Sequence, residues 1–182
     1  MSSPTPSPEL DHRYSSTGAA PTEWEDARER LIRAELYWIT TVRGDGRPHV
    51  TPLLSVWADW AMHVSTGPEE QKAHNLAGNP HCILTTGDGS MEDGIDIVLE
   101  GTAERITGAA RLRALADMWV AKYGEVWRFG VRDDEGFRHR LDADVDRDAV
   151  PDLAHVFAIR PQRAFAFRKG TVFSQTRYRF SD

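Results

Sequence analysis

A single cysteine, Cys82, stands among the 182 residues. One thiol can form neither a disulfide within the chain nor a cysteine-based metal cluster, so the sequence points to a reducing, cytoplasmic setting. Basic residues are outnumbered, 22 against 28 acidic, and the net charge of −6 gives the chain as a whole no electrostatic match for nucleic acid. No apolar run approaches the roughly 20 residues of a membrane-spanning helix. The N-terminus lacks both the basic start and the continuous apolar core of a secretory signal. No Gly-x-Ser-x-Gly, Gly-x-Gly-x-x-Gly or Walker sequence occurs, so the sites built on those loops are not expected. No internal repeat is visible.

What remains is an ordinary globular composition, 40% hydrophobic with six Trp and seven Phe, enough for one domain with a real core. Pro4, Pro6, Pro8 and Pro21 among Ser and Thr make residues 1–21 read as a flexible leader, with a single domain over 22–182. Thr22-Glu23-Trp24-Glu25 matches a capping box, and Trp24, Ala27, Leu31 and Ala34 predict a helix over 23–35. A β-branched and aromatic run follows from Leu36 to Val42, and a Gly44-Asp45-Gly46 turn precedes a strand opened by Pro48. Val50, Leu54 and Val56 then alternate with Thr51, Ser55 and Trp57, and Ala61 to Thr66 returns after a turn at Ala58-Asp59-Trp60. A short helix at 68–77, strands at 81–86 and 95–106, and a helix at 108–123 with Leu112, Leu115, Trp119 and Tyr123 on one stripe come next. Residues 125–152, dense in Asp, read as a surface excursion. His155 to Arg160 and Ala164 to Arg168 are the last strands, separated by Pro161-Gln162. Short strands, tight turns and intervening helices predict a mainly β fold, a six-stranded antiparallel barrel with flanking helices.

Three segments carry chemistry. In Ser65-Thr66-Gly67-Pro68-Glu69-Glu70-Gln71-Lys72-Ala73-His74-Asn75, a strand ends in hydroxyls, and Gly67 permits close backbone approach to a ligand. Pro68 suits a first helical position, where free amides and the helix dipole favour phosphate. Lys72 and Asn75, three apart, share a helix face and add a cation and an amide donor. Glu69 and Glu70 in a first turn equally stabilise a helix without any ligand, so taken alone the segment leaves both readings open. In Gly46-Arg47-Pro48-His49-Val50-Thr51-Pro52, two prolines deny the ladder its donors and place the strand at an edge or bulge. The tail Phe173-Ser174-Gln175-Thr176-Arg177-Tyr178-Arg179-Phe180 puts two guanidiniums on one face of an extended segment, suited to an anion or a ring.

Taken in order, these segments resemble the pyridoxamine 5′-phosphate oxidase-like split-barrel flavoproteins, from about Tyr37 to Phe180. The resemblance implies a six-stranded split β-barrel, usually a homodimer with cofactor sites at the subunit interface. It implies bound FMN, the deazaflavin coenzyme F420 or, in some relatives, haem, and oxidoreductase activity on a small-molecule substrate. It places Lys72 and Asn75 at the cofactor phosphate, with Ser65 and Thr66 beside it. His49, Val50 and Thr51 fall along the ring, and Arg177 and Arg179 in a segment reaching the cofactor or substrate pocket. Many deazaflavin-binding relatives carry a basic residue where this chain has Glu70, which puts FMN first. No acid–base pair stands out as catalytic.

The remaining motifs favour plain structural roles. His49, His63, His74 and His81 could approach one another across strands, but none forms a ligand-spaced pair with a carboxylate or Cys, so no metal is expected. Asp142, Asp144, Asp146 and Asp148 alternate like a calcium loop, yet lack its Gly and terminal Glu. Trp57, Trp119 and Trp127 could each cap a ring, with core packing as the default for Trp.

Overall fold

A computed structural model describes residues 5–139 and 153–181. Its organising element is one long strand, β10 (His155–Arg168), paired along almost its whole length with β7 (Ile95–Ile106). On the other edge its partners change. His155 to Ile159 pair with β5 (Ala61–Thr66), whereas Arg163 to Arg168 pair with β11 (Ser174–Arg179). The sheet therefore splits at residues 160–162. Pro161 sits in that gap, where a missing N–H breaks no ladder, and the β7 register shifts between Pro161 and Arg163. The expectation of two strands separated at Pro161 is thus corrected to one bulged strand. Gly101 lies opposite Pro161, and a Cβ there would fall 2.4 Å from the Arg160 carbonyl oxygen, so this crossing admits only glycine.

From β7 the sheet continues through β6 (His81–Thr86) to β2 (Tyr37–Val42) and ends at β3 (Pro48–Leu53). The edge position expected from Pro48 and Pro52 is what the pairing gives, since β3 pairs with β2 alone. The alternation read straight through Leu54 breaks there. β4 (Ser55–Ala58) changes partner and pairs with β5 across a two-residue turn, Asp59 and Trp60 both at positive φ. With β1 (Glu9–Leu10) added beside β11, the main sheet has nine strands. The fold is the mainly β, antiparallel split barrel with flanking helices that was expected, with more strands than six.

Two apolar clusters flank the sheet. α1 (Trp24–Arg33) buries Trp24, Ala27 and Leu31 against Tyr37, Leu84 and Leu99, and α3 (Ala109–Tyr123) buries Leu112, Leu115 and Trp119 against Val156 and Ala158. The C-terminal turn of α3 is pinned by Lys122, whose ammonium donates to the Tyr37 hydroxyl and the Ser55 carbonyl, both at 2.8 Å. Burial pushes that amine down to about 8. No helix among the described residues is long and apolar enough to cross a membrane.

Three further expectations are corrected. Thr22 does not cap α1: Glu23 holds the cap position without a side-chain bond, while the Thr22 N–H donates to the Thr176 hydroxyl at 2.9 Å and its carbonyl accepts from Tyr178 at 2.7 Å. The leader is ordered over part of its length, because β1 pairs with β11 and the Asp11 N–H donates to the Gln175 carbonyl at 2.8 Å. The 125–152 excursion is not all surface. β8 (Phe129–Arg132) and β9 (Gly136–His139) form a hairpin whose Phe129 and Phe137 rings stack at 4.8 Å and pack against Trp119. The Asp142 to Asp148 run lies outside the described residues.

Candidate functional site

Ser65 and Thr66 close β5, held in register by Val156 and His155 of β10. Gly67 follows, and the chain turns through Pro68 and Glu69 before α2 (Gln71–Gly78) begins. The helix starts three residues later than expected, so Pro68 is a turn residue and Glu70 is the cap. The Glu70 carbonyl accepts from the Ala73 and His74 amides at 2.9 and 3.2 Å. Its carboxylate does not serve the helix. It folds back, taking the Gly67 N–H at 2.7 Å and the Lys72 ammonium on its two oxygens. Burial pushes this carboxyl up, but the Lys72 ammonium and the Gly67 N–H outweigh burial and hold it below the usual carboxylate range.

Lys72 is only 7% exposed. Its buried ammonium faces a cavity of about 210 Å3 whose walls include Ser65, Thr66, Leu53, Leu54 and Trp127. A buried cation and a backbone N–H, both engaged by Glu70, stand on one side of the cleft beside the Thr66 hydroxyl, which donates to the Gly67 carbonyl at 3.3 Å; these are groups that can hold an oxyanion. Asn75 lies one turn further along α2 and faces β2 instead. Its amide donates to the Thr41 hydroxyl at 2.8 Å and its oxygen accepts from Gln71 at 2.8 Å. It braces the helix against the sheet and does not line the cavity.

His49 and Thr51 lie on the half-buried face of β3, one residue each side of Val50, which points outward and is 54% exposed. The His49 Nδ1 and Thr51 Oγ1 atoms are buried and find no hydrogen-bond partner among the described residues. Burial pushes the His49 ring down, and the Arg43 and Lys72 charges add to it. Neither His49 nor Thr51 lines the Lys72 cavity.

Arg177 and Arg179 share the outer face of β11, as expected, but within one chain they lie apart from Lys72. Glu9 of β1 grips Arg177 through two bonds, at 2.5 and 3.2 Å, and stands 3.8 Å from Arg179. Arg177 lines a separate cavity of about 310 Å3 with Glu9, Arg13 and Phe165. The histidines do not gather, and no three His, Cys, Asp or Glu side chains converge on a metal position among the described residues. His63 instead lies fully buried on β5.

Phe129 escaped the sequence reading although it lines the Lys72 cavity. An aromatic inside a charged stretch gives no periodic signal. Trp127, considered as a possible ring cap, is a wall of that cavity.

Comparison with known proteins agrees with this architecture. A FAD-binding protein from Mesorhizobium loti is 13% identical, covering 97% of this chain and 99% of that one, with a TM-score of 0.57. HutZ, the haem storage protein from Vibrio cholerae, is 18% identical over 76% of this chain and 89% of that one, with a TM-score of 0.54. An F420 reductase is 19% identical over 75% and 94%, with a TM-score of 0.50. At such identities the likeness is one of fold alone. No curated protein matches the chain by sequence. The family profile described as pyridoxamine 5′-phosphate oxidase matches residues 24–166, and by that match the chain belongs to the pyridoxamine 5′-phosphate oxidase family.

Proposed function

We propose that the protein is an oxidoreductase that binds a phosphate-bearing flavin, FMN in the first instance, with its phosphate at Lys72. The observation that carries this reading is the buried ammonium of Lys72 beside the Gly67 N–H and Thr66, facing a cleft with apolar walls. These donors fit a phosphate, and on β3, outside the cavity walls, the unpartnered Nδ1 of His49 and Oγ1 of Thr51 offer polar partners to a planar ring. When bound, FMN supplies the redox chemistry, exchanging a hydride at its ring N5 with a small, conjugated substrate. The chain's own residues bind and orient. Lys72 holds the phosphate charge, Asn75 keeps α2 against β2, and Leu53, Leu54 and Trp127 exclude water from the cleft. A homodimer completes the site in this reading, because the exposed edge strand β3 carries Val50 and the neighbouring β2 carries Trp38, both large and solvent-facing.

A second reading, an F420-dependent reductase or a non-catalytic flavin- or haem-binding module, is favoured by the F420 reductase and the haem storage protein among the structural neighbours. Glu70, an acid beside the phosphate seat, puts F420 behind FMN, and the lack of a histidine among the described residues that line the Lys72 cavity puts haem behind it too. Thermal unfolding of the purified protein with FMN, F420 and haem in turn decides between them. FMN is expected to raise Tm by several degrees at about a hundred-fold excess over Kd. A rise with F420 or haem and none with FMN overturns the first reading.

A further inference from the structure

The Lys72 seat already holds an anion, and it belongs to the chain itself. Glu70 takes the Gly67 N–H at 2.7 Å with one carboxylate oxygen and the Lys72 ammonium with the other. This carboxylate makes no cap bond to α2, so helix stability does not explain its position. The two partners differ in freedom. The Lys72 side chain is 8% exposed and the Glu70 side chain 50%, so Glu70 can swing to solvent without unpacking the core while Lys72 stays in place. A phosphate needs the same two donors, and two anions cannot occupy them together.

Building on the phosphate reading above, we propose that Glu70 is a displaceable, tethered competitor that determines what the Lys72 seat accepts. A side chain fixed two residues from its cation competes at an effective concentration on the order of millimolar or more. Free inorganic phosphate, which gains no contact beyond those two donors, does not overcome it. A phosphate ester whose planar ring gains further contacts in the cleft does, and binding then moves Glu70 out to water. Glu70 thus filters for phosphate carried on a larger body and against the bare ion.

The test compares wild type, Glu70→Gln and the double variant Glu70→Gln/Lys72→Ala, with Glu70→Ala as a second removal of the charge. Inorganic phosphate, FMN and riboflavin are titrated against each, followed by Tm and by flavin fluorescence. Inorganic phosphate is expected to raise the Tm of Glu70→Gln and Glu70→Ala but not of wild type. FMN is expected to bind both single variants about ten-fold more tightly than wild type, the change from losing one charge-assisted competitor. Riboflavin, which has the ring but no phosphate, is expected to bind all four proteins alike, and Lys72→Ala to cancel the gain. Equal responses of wild type and both single variants to inorganic phosphate, or FMN binding no tighter after the charge is removed, overturn the proposal. If FMN binds none of them while inorganic phosphate still separates the single variants from wild type, the competitor stands and the flavin reading falls.

Discussion

Trp119→Ala is expected to cost about 3–5 kcal/mol of stability, the range for truncating a large buried aromatic. Trp119 is 0% exposed and joins three parts of the fold. It lies on α3, in the cluster beneath Val156 and Ala158, and edge-on to the Phe137 ring at 5.4 Å. Phe129, stacked on Phe137, closes the same cluster and lines the Lys72 cavity. Truncation therefore removes the ring that fills the space between the sheet, α3 and the β8–β9 hairpin and that lines the Lys72 cavity beside Phe129. At about 2–4 °C per kcal/mol for a chain of this size, Tm is expected to fall by roughly 6–20 °C. Urea unfolding measures the loss, and Trp119→Phe should recover much of it. A change below about 1 kcal/mol would show that the hairpin does not rest on this ring.

The second large effect is a loss of stability in acid that runs through His63. The ring is fully buried, and neither nitrogen makes a hydrogen bond of good geometry among the described residues, the Ala61 backbone being a weak partner. Burial, with the Arg111 and Arg160 charges opposed by Asp59 and the Ala61 backbone, pushes its pKa from 6.5 down to about 4. The folded state therefore holds the ring neutral where the unfolded chain would take up a proton. The stabilising contribution is complete above pH 6.5 and is lost as the pH falls towards 4. At about 1.4 kcal/mol per pH unit, the span amounts to roughly 3 kcal/mol. Urea unfolding at several pH values, with wild type beside His63→Leu, isolates this contribution from the carboxylates that also titrate. The variant should lose less stability on acidification by about that amount. Parallel profiles would mean that the ring is solvated or protonated in the fold.

The sheet was legible wherever periodicity alone decides. β6 and β7 run over the residues expected, and α3 begins one residue later than read. What escaped depends on partners distant in sequence. A proline normally ends a strand, but Pro161 continues β10 because β5 stops before it and β11 starts after it. Glu9 and Leu10 sit in a Pro- and Ser-rich stretch whose composition reads as disordered, and they are ordered by the free edge of β11. Phe129 and Phe137 are embedded in charges, so no local pattern announces that they cover Trp119.

The same division holds at the site. Ser65, Thr66 and Lys72 were readable because a strand end, a glycine and a helix start are local features, and they meet at one cavity. Asn75 was placed on the correct helix, but its amide serves Thr41. The common face of Arg177 and Arg179 followed from strand alternation, whereas their carboxylate partner, Glu9, lies at the other end of the chain. Glu70 was legible as an acid near a helix start. That it turns back onto Lys72 depends on the helix beginning at Gln71 and not at Pro68.

Lys72 as the phosphate anchor is the centre of the account, and a direct titration of FMN against wild type and Lys72→Ala tests it. Flavin fluorescence gives Kd for each, with riboflavin as the ring without the phosphate. Losing a buried charge-assisted contact should weaken FMN binding about ten- to hundred-fold and leave riboflavin unchanged. Equal FMN affinity in the two proteins would contradict it.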